Sequence, residues 1–305
     1  MKLSLTCTLL SMVIGCSSAD TDPSDDSEDT SSNHWTLFSS TQTGWKAIST
    51  GFDHSCGIDQ SGALQCWGKK GLEQREDPLR PPDGVFIQLD SGMEFSCAVS
   101  DAGIVDCWGD STFGKTTSPA SAEFLLIATG YGHTCGIEED QAIDCWGWGG
   151  YAATVPPPGS FVSIEGGYHY MCALDTAGEI HCWGFDFANQ ASAPTGPFTT
   201  LSTASDSACA QKESGEVVCW GDNLFGQSDP PASFLRELSG GARHHCGLDE
   251  ANQAVCWGDN SYGQIQVPEM ELQSIRAGGG HTCGLDLEGR IHCWGWNAEG
   301  QASPP

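Results

Sequence analysis

Residues 278–301 read GGGHTCGLDLEGRIHCWGWNAEGQ, and variants of this stretch occur seven times along the 305-residue chain. Each copy has a cysteine, nine further residues and then Cys-Trp-Gly. From the third copy onward the first cysteines follow one another every 37 residues, at positions 135, 172, 209, 246 and 283. A fixed period of this size predicts a ring or solenoid of small similar units, so the chain forms one repeat architecture.

The remaining positions of each copy indicate strands and turns. Ile or Leu stands eight residues before the first cysteine in every copy, and glycine stands five before it in all copies except one, where Ala204 replaces it. Short apolar runs alternate with Gly, Pro, Asn and Asp, and no useful length of helical periodicity occurs in the repeats. The pattern predicts an all-β fold.

The two cysteines of each copy are placed to face each other in a β-hairpin. If residues 176–178 form a three-residue loop with glycine in the left-handed position, Leu174 faces Ile180 and Cys172 faces Cys182. Alternation makes the cysteines a non-hydrogen-bonded pair, about 4.5 Å apart between Cα atoms and within disulfide reach. We therefore predict seven disulfides: Cys56–Cys66, Cys97–Cys107, Cys135–Cys145, Cys172–Cys182, Cys209–Cys219, Cys246–Cys256 and Cys283–Cys293.

A histidine two residues before the first cysteine allows a zinc site as the alternative. Three copies, however, have Phe95, Tyr170 or Ser207 at this position, and no Cys-x2-Cys or His-x3-His spacing accompanies it. We therefore predict no metal. The histidine ring is expected to cover the glycine of Cys-Trp-Gly that faces it in the hairpin, as with His54 and Gly68.

The amino terminus predicts export. Met1-Lys2 is followed by a short apolar stretch that ends at Gly15. Residues 1–15 are therefore shaped like a secretion signal and are too short to span a bilayer. The stretch ends Val13-Ile14-Gly15-Cys16, which resembles the lipobox of bacterial lipoproteins and implies cleavage before Cys16 and lipid attachment to it. An ordinary signal peptide cleaved nearby is the alternative. Residues 16–34 are acidic and nearly devoid of apolar side chains, so we expect a disordered tether. The propeller would then occupy residues 35–305, with an extra strand over residues 35–42.

Composition supports an exported location and limits the partners. Twelve Lys and Arg against forty Asp and Glu give a formal charge of −28, which opposes nucleic acid and anionic membrane surfaces and favours a basic partner. Any membrane contact would therefore run through the lipid on Cys16. Fourteen paired cysteines require an oxidising compartment. We expect the protein in the cell envelope, anchored by its lipid and located at the outer membrane, or outside the cell.

The pattern Gly-x-x-His-Thr-Cys-Gly-Leu-Asp-x-x-Gly-x-x-x-Cys-Trp-Gly-x-Asn-x-x-Gly-Gln resembles the regulator of chromosome condensation repeat across nearly all of residues 45–305. The resemblance implies a seven-bladed β-propeller, similar to compact bacterial members such as the propeller-type β-lactamase inhibitor proteins. In such a ring, the cysteine face and the tryptophan face of each blade would both be buried against neighbours. The tryptophan-aspartate propeller is the alternative, but it has Trp-Asp where this chain has Trp-Gly.

The eukaryotic namesake of the repeat promotes nucleotide exchange on a small GTPase. The resemblance does not imply this activity here, because this chain is expected to be exported, is acidic and has no long inserted loops. No nucleophile motif or phosphate-binding glycine loop occurs, so we predict no enzyme activity and no cofactor. Asp110, Asp222 and Asp259 follow Trp-Gly and could suggest calcium, but such residues usually bond the local backbone. We predict a monomeric binding module for a protein or glycan; a structural envelope component, or less favourably a propeller hydrolase or lyase, is the alternative.

The segments that follow Cys-Trp-Gly are the predicted binding rim. Three antiparallel strands place these segments at one end of a blade and the hairpin loops at the other. The third residue after the second cysteine varies between acids and large aromatics, which indicates freedom from repeat packing. Exposed Trp and Tyr are typical of binding hot spots. The alternative is that the aromatics fold inward, above all Phe113 and Phe225. The candidate residues are Trp148, Tyr151, Phe185, Tyr262 and Trp296.

The lipobox interpretation predicts the outcome of Cys16→Ser. Because a serine cannot carry the thioether-linked lipid, the variant should appear in the soluble fraction, with an unchanged melting temperature because the tether isolates the folded part. Fractionation and mass spectrometry of the amino-terminal peptide measure both effects. A variant that stays with the membrane after a high-salt wash would contradict the interpretation.

Overall fold

A computed structural model of the protein describes residues 44–70, 77–120, 122–232 and 234–305. The predicted signal peptide, Cys16, the tether and the strand over residues 35–42 lie outside these residues. No helix in the described part of the chain is long and apolar enough to cross a membrane.

Within the described residues, twenty-one strands form seven antiparallel sheets of three consecutive strands each. This confirms the predicted all-β fold with seven blades. The blades are 1 (β1 Trp45–Thr50, β2 His54–Asp59, β3 Leu64–Gly68), 2 (β4 Phe86–Ser91, β5 Phe95–Ser100, β6 Val105–Gly109), 3 (β7 Phe124–Thr129, β8 His133–Glu138, β9 Ile143–Gly147), 4 (β10 Phe161–Gly166, β11 Tyr170–Asp175, β12 Ile180–Gly184), 5 (β13 Phe198–Thr203, β14 Ser207–Lys212, β15 Val217–Gly221), 6 (β16 Glu237–Gly240, β17 His244–Leu248, β18 Ala254–Gly258) and 7 (β19 Leu272–Ala277, β20 His281–Asp286, β21 Ile291–Gly295). Short 3-10 turns follow blades 2 and 3 at Thr112–Gly114 and Gly150–Ala152.

The first strands of the blades form a closed ring. Each contacts the first strand of the next blade, and β19 of the last blade contacts β1 of the first. The seven blades therefore surround a central axis, as in a β-propeller.

The hairpin register agrees with the prediction in every blade. Cys172 pairs with Cys182 and Leu174 with Ile180, and all seven predicted disulfides form, with Cα atoms 4.0–4.1 Å apart. The loop residue with positive φ is usually glycine. Gln141 takes the same left-handed conformation at φ 70°, so the loop geometry persists where the sequence departs from glycine.

Adjacent blades pack the cysteine face of one against the tryptophan face of the next. Cys56 and Ile58 of blade 1, for example, share a buried cluster with Phe86, Leu89 and Trp108 of blade 2. Burial of both faces confirms the predicted packing and explains why β2, β5 and their equivalents are buried along their length.

A hydrogen bond from each Cys-Trp-Gly tryptophan fixes the segment that precedes its blade. Its indole Nε1–H donates to a backbone carbonyl on the segment that links the preceding blade to its own. The last of these bonds closes the ring, because Trp67 donates to the carbonyl of Gln301 over 2.9 Å and the Ser55 hydroxyl donates to the same oxygen over 3.1 Å. The other six acceptors are Pro78, Lys115, Ala153, Gln190, Gln227 and Gln264.

The repeated glycine five residues before the first cysteine forms a narrow collar around the axis. A Cβ atom on Gly51 would lie 2.6 Å from the Gly92 carbonyl oxygen, and one on Gly92 would lie 2.5 Å from that of Gly130. Neighbouring turns approach this closely because no side chain intervenes. The collar comprises Gly51, Gly92, Gly130, Gly167, Ala204, Gly241 and Gly278.

The histidine before the first cysteine packs differently from the prediction. His54 does face Gly68 in the register, but its ring lies against the collar glycine Gly51. From there its Nε2 reaches the hydroxyl of Ser96 in the next blade, at 2.8 Å. The prediction was wrong about which glycine the ring covers. Phe95 and His133 lie against their collar glycines Gly92 and Gly130 in the same way, so the ring at this position fills the space over the collar glycine with or without a hydrogen bond to the next blade.

The same kind of hydrogen bond between blades recurs at three further interfaces. At one of them the histidine and the hydroxyl have exchanged blades. His281 and His244 bond the hydroxyls of Ser55 and Thr282 in the following blades. Between blades 5 and 6 the order is reversed, because Ser207 stands at the histidine position and bonds the His245 ring at 3.0 Å. A histidine and a hydroxyl therefore join two neighbouring blades in either order.

The buried histidines predict a loss of stability in acid. Burial lowers the pKa to about 4 for His54, His133 and His244 and to about 3 for His245 and His281. The unfolded chain therefore takes up protons below pH 6.5 that the folded chain does not, so stability falls as the pH drops from 6.5 towards 4. Each such histidine lowers the free energy of unfolding by about 1.4 kcal/mol per pH unit in that window.

Urea unfolding between pH 7 and pH 4.5 measures this slope, and His54→Gln should reduce it by one proton. Four carboxyl groups whose pKa values are raised by burial act in the opposite sense and are fewer than the five histidines; they are Asp90, Glu138, Glu165 and Asp206. Equal stability at both ends of this pH range would contradict the assignment of neutral buried histidines.

Ring closure predicts a large effect from a small carboxyl-terminal deletion. A chain that ends at Ala298 lacks Gln301, so Trp67 and Ser55 lose their shared acceptor. A buried donor without a partner costs about 1–3 kcal/mol, and we expect the free energy of unfolding to fall by about 2–5 kcal/mol. A chain that ends at Ser303 is the control, and equal unfolding midpoints for the two chains would show that Gln301 does not close the ring.

Candidate binding face

The two ends of the ring carry different loops, as predicted. The hairpin loops between the second and third strands lie at one end, which we call the hairpin face. The turns between the first and second strands and the segments after Cys-Trp-Gly lie at the other, the Trp-Gly face. This follows from the antiparallel order of the three strands in every blade.

The aspartates that follow Trp-Gly are used within their own turns. Asp259 accepts hydrogen bonds from the backbone N–H of Ser261 over 3.0 Å and from the Gln264 amide over 3.0 Å. Asp222 accepts the Gln227 amide in the same way, and Asp110 forms a buried ion pair with Lys115 at 3.0 Å. The expected local bonding is confirmed. No three His, Cys, Asp or Glu side chains in the described segments are grouped to hold a metal ion.

In some blades an aromatic residue stands in place of this aspartate, and there the aromatic rings of neighbouring blades contact one another. Trp148 lies 5.6 Å from Tyr151 between ring centroids, Tyr151 lies 4.8 Å from Phe185, and Phe185 stacks on Phe187 at 6.3 Å. Phe113 extends the series at 6.4 Å from Trp148. We call these five residues the aromatic ridge. It includes three of the five candidate residues.

Three of the five ridge side chains are open to solvent, and Trp148 and Phe185 are half-buried beside them. The exposed fraction is 62% for Phe113, 59% for Tyr151 and 88% for Phe187. The alternative that these aromatics fold inward is therefore wrong for Phe113. Phe225 is also exposed, and its ring lies beneath the Arg243 guanidinium at 4.9 Å.

The backbone of the ridge adopts an uncommon conformation. Phe113 has φ 66° and Tyr151 has φ 55°, in the left-handed region that bulky residues seldom occupy. Such a residue costs about 1–2 kcal/mol. The left-handed turn that follows directs each ring away from the blade, so the cost accompanies presentation of the aromatic side chain to solvent.

Three further aromatic residues support the ridge from the first turns of blades 3 and 4. The His169 ring lies 4.4 Å from Trp148, and Tyr131 lies 4.4 Å from Tyr168. Burial lowers the pKa of His169, which favours the neutral ring among these neighbours. Sequence reasoning missed these three residues. The signal was variation in the turn after the collar glycine, where Tyr131 and Tyr168 replace the Ser205 and Ala242 of other blades.

The other two candidate residues form a separate pair. Tyr262 and Trp296 lie 5.8 Å apart and border a cleft of about 450 Å³ with Asp206, Arg243 and Asp259. Burial and the nearby Asp222 carboxylate raise the pKa of Asp206, while Arg243 opposes the shift. The Trp-Gly face thus carries an apolar ridge on blades 2–4 and a mixed aromatic and charged cleft centred on blades 5–7.

Comparisons with known proteins agree with this architecture. The Regulator of chromosome condensation (RCC1) repeat matches residues 45–71, 236–264 and 273–301. No curated protein sequence matches the chain.

Three solved structures illustrate the similarity of fold. The ectodomain of the Physcomitrella patens receptor kinase CR4 has a TM-score of 0.70 at 22% identity, over 83% of this chain and 74% of that one. The CRINKLY WD40 ectodomain of the Arabidopsis thaliana receptor kinase ACR4 has a TM-score of 0.68 at 24% identity, over 83% and 97%. Prp20p from Saccharomyces cerevisiae has a TM-score of 0.52 at 16% identity, over 85% and 74%. The chain therefore carries three segments that match the regulator of chromosome condensation repeat, within a seven-bladed β-propeller fold.

Proposed function

We propose that this chain is an exported protein-binding propeller that holds its partner against the aromatic ridge. The observation that carries the proposal is the ridge itself, a continuous row of aromatic rings, three of them exposed, on one face of an otherwise regular ring of blades. Large exposed apolar patches on soluble proteins mark interaction sites.

None of the ridge side chains belongs to the buried clusters that pack the described blades together. The inter-blade clusters use other aromatics, such as Phe124 with Trp146 and Phe161 with Met171. Tyr151 and Phe113 instead occupy costly backbone conformations that expose them. Strained residues concentrate at functional sites because selection keeps them despite their cost to stability.

A protein is the partner that best fits this surface. Trp and Tyr are the residues most enriched at protein-binding hot spots, and a row that spans three blades offers several anchors to one partner. The net charge of −28 favours association with a basic surface. Prp20p, whose structure was described with its binding properties to Gsp1p and histones, illustrates the use of this fold in binding proteins.

A glycan is the second candidate, and the Tyr262–Trp296 cleft favours it. Two aromatic rings beside the Asp259 carboxylate and the Arg243 guanidinium supply both a stacking surface and hydrogen-bonding groups. A sugar bound in this cleft would leave the ridge free, so a glycan and a protein partner would occupy different parts of the Trp-Gly face.

Export and anchoring complete the proposal. Seven disulfides form and persist in an oxidising compartment, which fits the cell envelope or the extracellular space. A lipid on Cys16 and an acidic tether over residues 16–34 would let the ring reach a partner while it stays attached to a membrane.

The double variant Tyr151→Gly with Phe187→Ala tests the ridge. Glycine accepts the left-handed backbone at position 151 at little cost, and Phe187 is almost fully exposed, so the melting temperature should stay within a few degrees. Partner capture should fall at least about tenfold, as expected for the loss of two hot-spot residues. Purified rings immobilised through the amino terminus would be incubated with envelope and secreted fractions, and the bound proteins quantified by mass spectrometry.

Ile104→Ala is the matched control, since Ile104 is exposed on the hairpin face. It should leave capture unchanged. Equal capture by the double variant and the wild type would refute the ridge as the binding surface. A melting temperature more than about ten degrees lower would place the two side chains in the core, because a loss of that size corresponds to core truncation.

A further inference from the structure

The axis of the propeller contains a chamber. The seven first strands surround a cavity of about 410 Å³. Towards the Trp-Gly face the collar glycines line a smaller pocket of about 90 Å³. At the other end, where the first strands begin, Leu126 lines the cavity and is exposed to solvent. The cavity is therefore open towards the hairpin face.

Five charged side chains line this cavity, and they come from four blades. They are Asp90 on β4, Glu165 on β10, Arg236 directly before β16, Glu237 on β16 and Arg276 on β19. Three carboxylates against two guanidinium groups give the cavity a charge of −1 when all are ionised. The Arg236 guanidinium donates to the backbone carbonyls of Leu272 and Gln273. The other lining residues are polar or aliphatic.

Two of the three carboxylates have partners within the ring. Glu237 forms an ion pair with Arg276 and accepts the backbone N–H of Ile275 over 3.1 Å. Asp90 accepts the backbone N–H of Thr129 over 2.6 Å and its hydroxyl over 2.8 Å. Glu165 has no hydrogen bond or ion pair to any of the described residues, although it is enclosed by the first strands. An isolated carboxylate in such a position is costly unless a partner neutralises it.

We propose that the axial cavity is a binding site for a small aliphatic amine, whose ammonium group pairs with the Glu165 carboxylate. Charge selects a cation, since Arg276 is already engaged by Glu237 and leaves one carboxylate unpaired. The site is independent of the aromatic ridge and lies away from it along the axis.

The size and walls of the cavity favour an organic cation over a metal ion. No three metal-ligating side chains converge in the described segments. The cavity has the volume of more than about ten water molecules, at roughly 30 Å³ each in the liquid, so it accommodates a carbon chain as well as a charge. Leu126 and Ala128 on β7, the strand next to β10, line the cavity as an apolar wall for that chain.

Binding at Glu165 is expected to be linked to proton release. Burial, aided by the Asp90 and Glu237 carboxylates and opposed by Arg276, raises the pKa of Glu165 to about 8. These three are the charged groups that face it. Strands β7 and β13 carry no titratable residue, and Lys46 of β1 is exposed. Arg236 also lines the cavity, but its guanidinium is bonded to the carbonyls of Leu272 and Gln273. At pH 7 the empty site therefore holds a proton that the ammonium group displaces.

The probe is n-pentylamine, with 1-pentanol and pentanoate as neutral and anionic controls. Isothermal titration at pH 6, 7 and 8 should show pentylamine binding that tightens about tenfold per pH unit, because the fraction of ionised Glu165 rises tenfold per unit below its pKa. Titration in two buffers of different ionisation enthalpy should detect about one proton released per amine bound at pH 7. Neither control ligand should bind measurably.

Glu165→Gln removes the charge and keeps the shape, so pentylamine binding should weaken at least tenfold while folding is retained or improved. Ser163→Ala, on the same strand and also facing the cavity, is the control and should bind as the wild type does. Equal binding of pentanol and pentylamine, binding unaffected by Glu165→Gln, or no binding to the wild type at pH 8 would each overturn the proposal. The proton count is measured on the unaltered protein, so it does not depend on how the variant folds.

Discussion

The indole N–H of each Cys-Trp-Gly tryptophan donates to a carbonyl on the segment that arrives from the preceding blade, and most of the architecture depends on this bond. It fixes one end of every linking segment beneath the next blade, as Trp183 does for Ala153 at 2.9 Å. The disulfide hairpin fixes the other end. Only the middle of the segment is left free to vary, and this is where Trp148, Tyr151 and Phe187 stand. The way in which the linking segments are fixed therefore determines where the candidate binding face lies.

The local parts of the fold could be predicted from the sequence because strand alternation is a short-range rule. Counting residues from the hairpin glycine placed Cys172 opposite Cys182, and the recurring Cys-Trp-Gly pattern predicted seven similar units. Contacts between blades could not be reached in this way. The Gln301 carbonyl that accepts from Trp67, and the Ser96 hydroxyl that bonds His54, belong to segments tens or hundreds of residues away. Only the closed ring brings these groups together.

The candidate site shows the same division. Variation between acids and aromatics identified Trp148, Tyr151 and Phe185, because repeat packing would have kept one residue type there. Nothing in the spacing indicated that Tyr262 and Trp296 would form a second pair on other blades. Asp90, Glu165 and Arg276 stand out in a comparison of the seven first strands, where the equivalent positions are Ser49, Ala128, Ser202 and Ser239. These three side chains approach one another across one cavity only because the ring closes. The sequence pattern gives no distances between blades and so could not predict it.

The central claim is that the Trp-Gly face binds a partner while the rest of the ring serves as a scaffold. Hydrogen exchange of the ring, free and saturated with its captured partner, tests this most directly. Slower exchange should appear in the segments that follow Cys-Trp-Gly in blades 2–4 and in the turns that hold Tyr131 and Tyr168, with the hairpin loops around Gly62, Gly103 and Gly178 unchanged. Protection of those hairpin loops, with the ridge segments exchanging as in the free ring, would contradict the account.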